Sequence, residues 1–348
     1  MRVLTSLLLA ALTAAVAPAV ASAADTVTIS GKAYEFNHMD TPIPGATIRV
    51  RELPGATAAT DAVGDYVLTV PDDTTVTPYI DPPAGYNEID LQTFHTRGQD
   101  IVNANFQTPA DFEYNALRAL LGVPSDPDGR PTDCVIVTTA SARNVRDVDY
   151  QTFWDRTPHG VAGATSIEFP EIAGPTYFNE HVIPDPNETQ TSDDGGIVWT
   201  NVPAGAYRIV TLSPTARFAS LLATCEPGRV VNANPPWGAY ELSPGETDLP
   251  AGVAVANIGE AKVKVRKDGG ERFSVEVEPG EELTVKAVLK NRDGKPLGRR
   301  KKAPMAPGSE RISFGVPAGT KGRATMTITT RDAAGNKIQV TREGRFGA

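Results

Sequence analysis

Hydrophobic and polar residues alternate along most of this chain with a period of two, as in extended strands with one buried face. Val27, Ile29 and Ala33 share one face of a first segment, Ala46, Ile48 and Val50 of a second, and Tyr66, Leu68 and Val70 of a third. The pattern returns later in Phe273, Val275 and Val277, in Leu283, Val285 and Ala287, in Ile312 with Phe314, and in Ala324, Met326 and Ile328. Turn residues separate these runs. Asp61 and Gly64 bracket one hairpin, Pro203-Ala204-Gly205 makes another turn, and Glu278-Pro279-Gly280, Asn291-Arg292-Asp293-Gly294 and Asp332-Ala333-Ala334-Gly335-Asn336 make three more. With 29 Pro and 31 Gly falling between Val-, Ile-, Thr- and Tyr-rich runs, the spacing predicts many short strands in sandwiches or barrels. Helical periodicity is confined to one place. Thr108 is placed to cap a helix, Pro109 to open it and Asp111 to favour its positive end. Tyr114, Leu117, Leu120 and Leu121 then form an apolar stripe that Gly122 and Pro124 end. The expected fold class is all-β: tandem antiparallel β-sandwiches with one short connector helix.

The chain also repeats itself. Pro42-Ile43-Pro44-Gly45-Ala46-Thr47-Ile48-Arg49-Val50 precedes Thr60-Asp61-Ala62-Val63-Gly64-Asp65-Tyr66-Val67-Leu68-Thr69-Val70-Pro71. Later, His159-Gly160-Val161-Ala162-Gly163-Ala164-Thr165 precedes Thr191-Ser192-Asp193-Asp194-Gly195-Gly196-Ile197-Val198-Trp199. A short strand leads into each copy, Val27 to Tyr34 in the first and Cys134 to Ala140 in the second. This pattern resembles the carboxypeptidase regulatory-like, or transthyretin-like, β-sandwich. The likeness covers 25–107 and, more loosely because of a long insertion before His159, 133–247. The last hairpin, Asp332 to Asn336 followed by Lys337 to Arg342, is similar to the closing hairpin of bacterial immunoglobulin-like domains and places one at 251–348. The division expected is therefore a regulatory-like sandwich at 25–107, a helical connector at 108–132, a second, insertion-bearing sandwich at 133–247 and a basic Ig-like sandwich at 251–348. Such modules resemble accessory domains of secreted enzymes, receptors and surface proteins, which implies a fold and a setting rather than an activity.

The first residues point to the same setting. Met1 and Arg2 precede an apolar stretch from Leu4 to Val20, and Ala21-Ser22-Ala23 supplies the small residues of a cleavage site. Residues 1–23 are thus expected to be a signal peptide, and the mature chain to be extracellular. No later apolar run is long enough to span a membrane. No Cys follows the cleavage site and no apolar tail ends the chain, so surface retention would be non-covalent. In an oxidising compartment the only two cysteines, Cys134 and Cys225, are expected to form a disulfide.

Charge divides the chain. The whole carries −9, yet from residue 251 onward 20 Lys and Arg stand against 11 Asp and Glu. Arg299, Arg300, Lys301 and Lys302 are the densest cluster and the expected polyanion-binding residues. The partner expected is an anionic cell-envelope polymer, a glycan or a surface protein. The other reading of the cluster is a solvated strand face that resists edge pairing. Nucleic acid is not expected, because no basic motif with interleaved aromatics occurs.

Catalytic signatures were sought. Gly-x-Ser-x-Gly, His-Glu-x-x-His, a phosphate-binding glycine loop and Cys-x-x-Cys are all missing from the sequence. No cofactor and no metal are expected. The weak candidates for a metal are His159 and His181 with Glu180, since imidazole and carboxylate suit zinc. Trp237, in a predicted loop after Asn234-Pro235-Pro236, and Tyr240 are candidates for stacking on a sugar ring, with Trp154 behind them; Trp199 reads as core. Two functions follow: a secreted non-catalytic binding or adhesion scaffold, or an enzyme whose site lies in the middle insertion, 143–158 and 168–190.

Overall fold

The computed structural model describes residues 25–347 apart from 147, 149–151, 153, 154, 156, 157, 234 and 249–251, and only the backbone of 300–303. The expected signal peptide at 1–23 and Trp154 lie outside the described residues. The architecture is all-β, with several sheets stacked in sandwiches and one α-helix among the described elements.

The first sandwich forms where period-two alternation is cleanest. Strand Thr26–Glu35 pairs antiparallel with Asp65–Pro71, so that Val27 faces Val70 and Ile29 faces Leu68. Its end pairs in parallel with Phe106–Thr108. The opposite layer holds Thr47–Val50 between Thr57–Ala59 and Pro78–Asp81. Val27, Ile29, Ala46, Ile48, Val50, Tyr66, Leu68 and Val70 are all buried in one core. The expected turn has the expected chemistry. Asp61 Oδ1 accepts the N–H groups of Val63 and Asp65, both at 2.9 Å, and Gly64 takes φ of +81°.

One layer of this sandwich does not stop at residue 107. Ile89–Asp90, beside Pro78–Asp81, also pairs with Val230–Ala233 through Val231 and Asp90. Val230–Ala233 lies in turn against Cys134–Ser141, which pairs with Gly196–Val202. A single ten-stranded sheet thus runs from the 47–59 hairpin to the Thr176–Phe178 and Pro184–Asp185 pair. A three-stranded sheet, Thr165–Phe169, Gly205–Leu212 and Leu221–Cys225, covers the second half. The Cys134–Cys225 disulfide joins the large sheet to the small one, with Cα atoms 5.6 Å apart and both residues buried.

The third sandwich packs Ala256–Ile258, Lys262–Val265, Glu271–Pro279 and Glu310–Val316 against Pro296–Met305, Leu283–Asn291, Gly322–Arg331 and Lys337–Phe346. The alternating residues predicted to face inward do so, except that Phe314 stays half-buried. Two predicted turns of this sandwich meet the second one. Arg208, fully buried on Gly205–Leu212, gives Nε and Nη2 to the two oxygens of Glu281 at 2.8 and 2.7 Å, and Asp332 lies 3.3 Å from Nε. The same guanidinium reaches the Val253 carbonyl at 3.0 Å and Ser220 Oγ at 3.3 Å.

The helix spans Asp111–Leu120 and starts later than expected. Thr108 cannot cap it, because the strand Phe106–Thr108 must run on to pair with Glu35, and its hydroxyl is buried without a partner. Ala110 takes the cap position instead, and its N–H donates to Glu113 at 3.3 Å. Leu121 packs on Val123 and on Val135, Phe178 and Val198 of the large sheet, and Tyr114 and Leu117 line the same crevice. Leu120, expected in the apolar stripe, is exposed instead.

Candidate functional site

On the third sandwich, the outward side of the sheet built on Glu271–Pro279 is strongly basic. Alternation sends Phe273, Val275 and Val277 into the core, which leaves Arg272, Ser274 and Glu276 on the other face. Pairing then sets matching residues beside them. Lys264 lies opposite Arg272, Lys262 opposite Ser274 and Arg311 opposite Glu276. The turn after Val265 adds Arg266 and Lys267. These six cations line one open groove of about 520 Å³ with Val265, Ser274 and one acid, Asp268. Asp268 is paired with Arg266 at 2.7 Å. Among the described residues, Lys262, Lys264, Lys267, Arg272 and Arg311 form no ion pair and are exposed. The groove therefore offers five cations without an ion-pair partner among the described residues, on neighbouring strands about one strand spacing apart, roughly 4.8 Å.

Sequence reading placed the basic centre elsewhere. Arg299 to Lys302 lie on the strand Pro296–Met305, which belongs to the opposite sheet and pairs with Leu283–Asn291. Arg299 is exposed; the side chains of Arg300, Lys301 and Lys302 lie outside the described residues. The groove residues were missed because they come from three strands, though Lys262-Val263-Lys264 carried the signal of a cationic strand face.

Of the two candidate stacking residues, Tyr240 goes inward and Trp237 is partly buried. Tyr240 is fully buried, with the Arg146 guanidinium 4.1 Å above its ring. Trp237 is wedged edge-on between Phe94 and Tyr240 at 5.4 and 5.7 Å, and its indole N–H donates to the Val102 carbonyl at 2.8 Å. The pair seals the first sandwich to the second, and Tyr240 has no free face for a sugar. Trp199 is core, as expected, and donates to Glu168 at 2.8 Å.

His159 and Glu180 share a groove of about 670 Å³ with Asp193, Asp194 and Gln107. Burial raises the Asp194 carboxyl above its usual range against the pull of the Gly196 N–H. His181 is exposed and stands 3.7 Å from Glu180, and among the described residues the three weak metal candidates do not gather into one ligand group. Three other residues do. Glu35, at the end of the first strand, His38, opening His38–Pro42, and Glu113, in the first helical turn, bring their ligand atoms within 4.8 Å of one another. Sequence reading missed them, because Glu113 is distant in the chain; Glu35-x-x-His38 within one hairpin was the only local signal.

No protein-family model matches the chain, and no curated protein matches it. Among solved structures it is similar to a tetra-tandem repeat in the extending region of a large adhesion protein, at 12% identity over 93% of this chain and 75% of that one, with a TM-score of 0.24. It is similar to the major pilin subunit of Bacillus cereus at 10% identity, over 61% and 68%, with a TM-score of 0.18. It is also similar to a penta-heme cytochrome c552 from Thermochromatium tepidum at 9%, over 32% and 45%, with a TM-score of 0.22. The chain spans less than half the length of that cytochrome. Overlaps this loose fix neither a family nor a function. No helix among the described residues is long and apolar enough to cross a membrane.

Proposed function

We propose that this chain is an extracellular binding scaffold, two regulatory-like sandwiches and one Ig-like sandwich, that docks through its third sandwich onto an anionic envelope polymer. In this reading export removes 1–23, and the modules divide near 107, 132 and 250. The disulfide suits an oxidising compartment. The shared ten-stranded sheet and the buried Arg208 junction suit a stiff support. The observation that carries the proposal is the groove of six cations with one acid. Each exposed pair with a partner would contribute little alone, so the affinity rests on many charges acting together on a repeating ligand.

The test is retention of mature protein on envelope fractions. Lys262→Gln, Lys264→Gln, Arg272→Gln and Arg311→Gln combined should abolish it, and Gln at Arg299, Arg300, Lys301 and Lys302 should weaken it less. If the second set is the damaging one, the docking face is the opposite sheet. If neither set matters, the docking proposal is wrong. The alternative of an enzyme in the middle insertion is favoured by one observation, the depression that gathers His159, Glu180, Asp193 and Asp194. It requires His159→Ala to abolish an activity while leaving retention intact.

A further inference from the structure

The trio of Glu35, His38 and Glu113 has a geometry that simple charge pairing does not require. Each carboxylate has one oxygen already committed. Glu35 Oε2 accepts the Tyr86 hydroxyl at 2.9 Å, and Glu113 Oε2 accepts the Ala110 N–H at 3.3 Å. The remaining oxygens turn to the same atom: Glu35 Oε1 and Glu113 Oε1 stand 3.9 and 3.7 Å from His38 Nε2. Both carboxylates are about four-fifths buried, while the imidazole is half-exposed. Among the described residues neither carboxylate has a Lys or Arg partner, so two negative charges face one imidazole.

That set suits a borderline cation. Tetrahedral zinc with bonds of about 2.0–2.2 Å places neighbouring ligand atoms roughly 3.3–3.5 Å apart; the two carboxylate-to-imidazole distances are a few tenths of an ångström longer, and all three ligand atoms lie within 4.8 Å of one another, so side-chain adjustment closes the trio around an ion. Tyr86 and the helix cap hold the carboxylates from behind, as outer-shell partners do in zinc sites. We propose that Glu35, His38 and Glu113 bind a zinc ion, one per chain, with the fourth position open to water. The ion ties the tip of the first hairpin to the connector helix. The site is independent of the basic groove, which lies on another sandwich.

The experiment titrates chelator-treated mature protein with zinc chloride by calorimetry and follows thermal unfolding of the same samples. The expected result is one zinc per chain and a higher midpoint of unfolding. His38→Ala should lose both effects, and Glu113→Gln should weaken binding by at least tenfold. Since His38 is half-exposed, its removal leaves the fold intact, which circular dichroism checks; Glu35→Gln replaces it if it does not. Absence of stoichiometric binding overturns the proposal. So does binding that survives unchanged in His38→Ala, which would move the ion to the His159 and His181 region.

Discussion

Asp248 sits beside the buried Arg208 cluster, taking the Ser220 N–H and hydroxyl on Oδ2 at 2.8 and 2.7 Å, while Oδ1 is buried with no partner. Burial raises its carboxyl above the usual range, and the hydrogen bonds from Ser220 and the charge of Arg208 only partly offset this. The folded chain therefore holds a proton that the unfolded chain releases. Stability from this residue is fully present below its ordinary value and falls as pH rises through the window up to its folded value. Asp248→Asn keeps the acceptor oxygen and removes the titration. Urea unfolding from about pH 4 to pH 7 should show the variant gaining on the native chain as pH rises; a constant difference would mean that Asp248 titrates as in the unfolded chain. Trp237 makes a second residue-scale case. Its identity as an aromatic near a turn was legible, but its direction was not, because Phe94 and Val102 reach it from more than a hundred residues away. Trp237→Ala should cost about 3 kcal/mol in thermal unfolding, as for other large-to-small core changes. A ring that only stacked on ligand would cost almost nothing.

At the scale of elements, strand faces were readable wherever one face is buried, since a one-residue slip would expose every inward side chain. Val27 to Ala33, Phe273 to Val277 and Ala324 to Ile328 all obey this. The helix start was misread because the local cap signal at Thr108 lost to the parallel pairing of Phe106–Thr108 with the first strand. The disulfide was legible from the cysteine count, whereas its position, stapling the two layers of one sandwich, needed the fold. Closing a loop with a sequence separation of 91, it should contribute roughly 4–5 kcal/mol by restricting the unfolded chain. Denaturant unfolding of the Cys134→Ala, Cys225→Ala double variant should show that loss with an unchanged fold. Equal stability would place the staple's role elsewhere.

For the whole molecule, the charge asymmetry was countable from the sequence, but its focus was not. Lys262, Lys264, Arg272 and Arg311 converge only when three strands align, whereas the conspicuous Arg299 to Lys302 run lies on a strand of the opposite sheet. An acidic body carrying a basic module can be drawn to a negatively charged surface through that module. The most direct test is the affinity of the mature protein for a soluble polyphosphate across ionic strength. Exposed charges act over about 8 Å at physiological salt and about 3 Å at 1 M. The account predicts binding that falls steeply and continuously with added salt, and that is lost at every salt concentration when Lys262, Lys264, Arg272 and Arg311 are changed to Gln. Binding that ignores salt, or that the four substitutions leave unaltered, would contradict it.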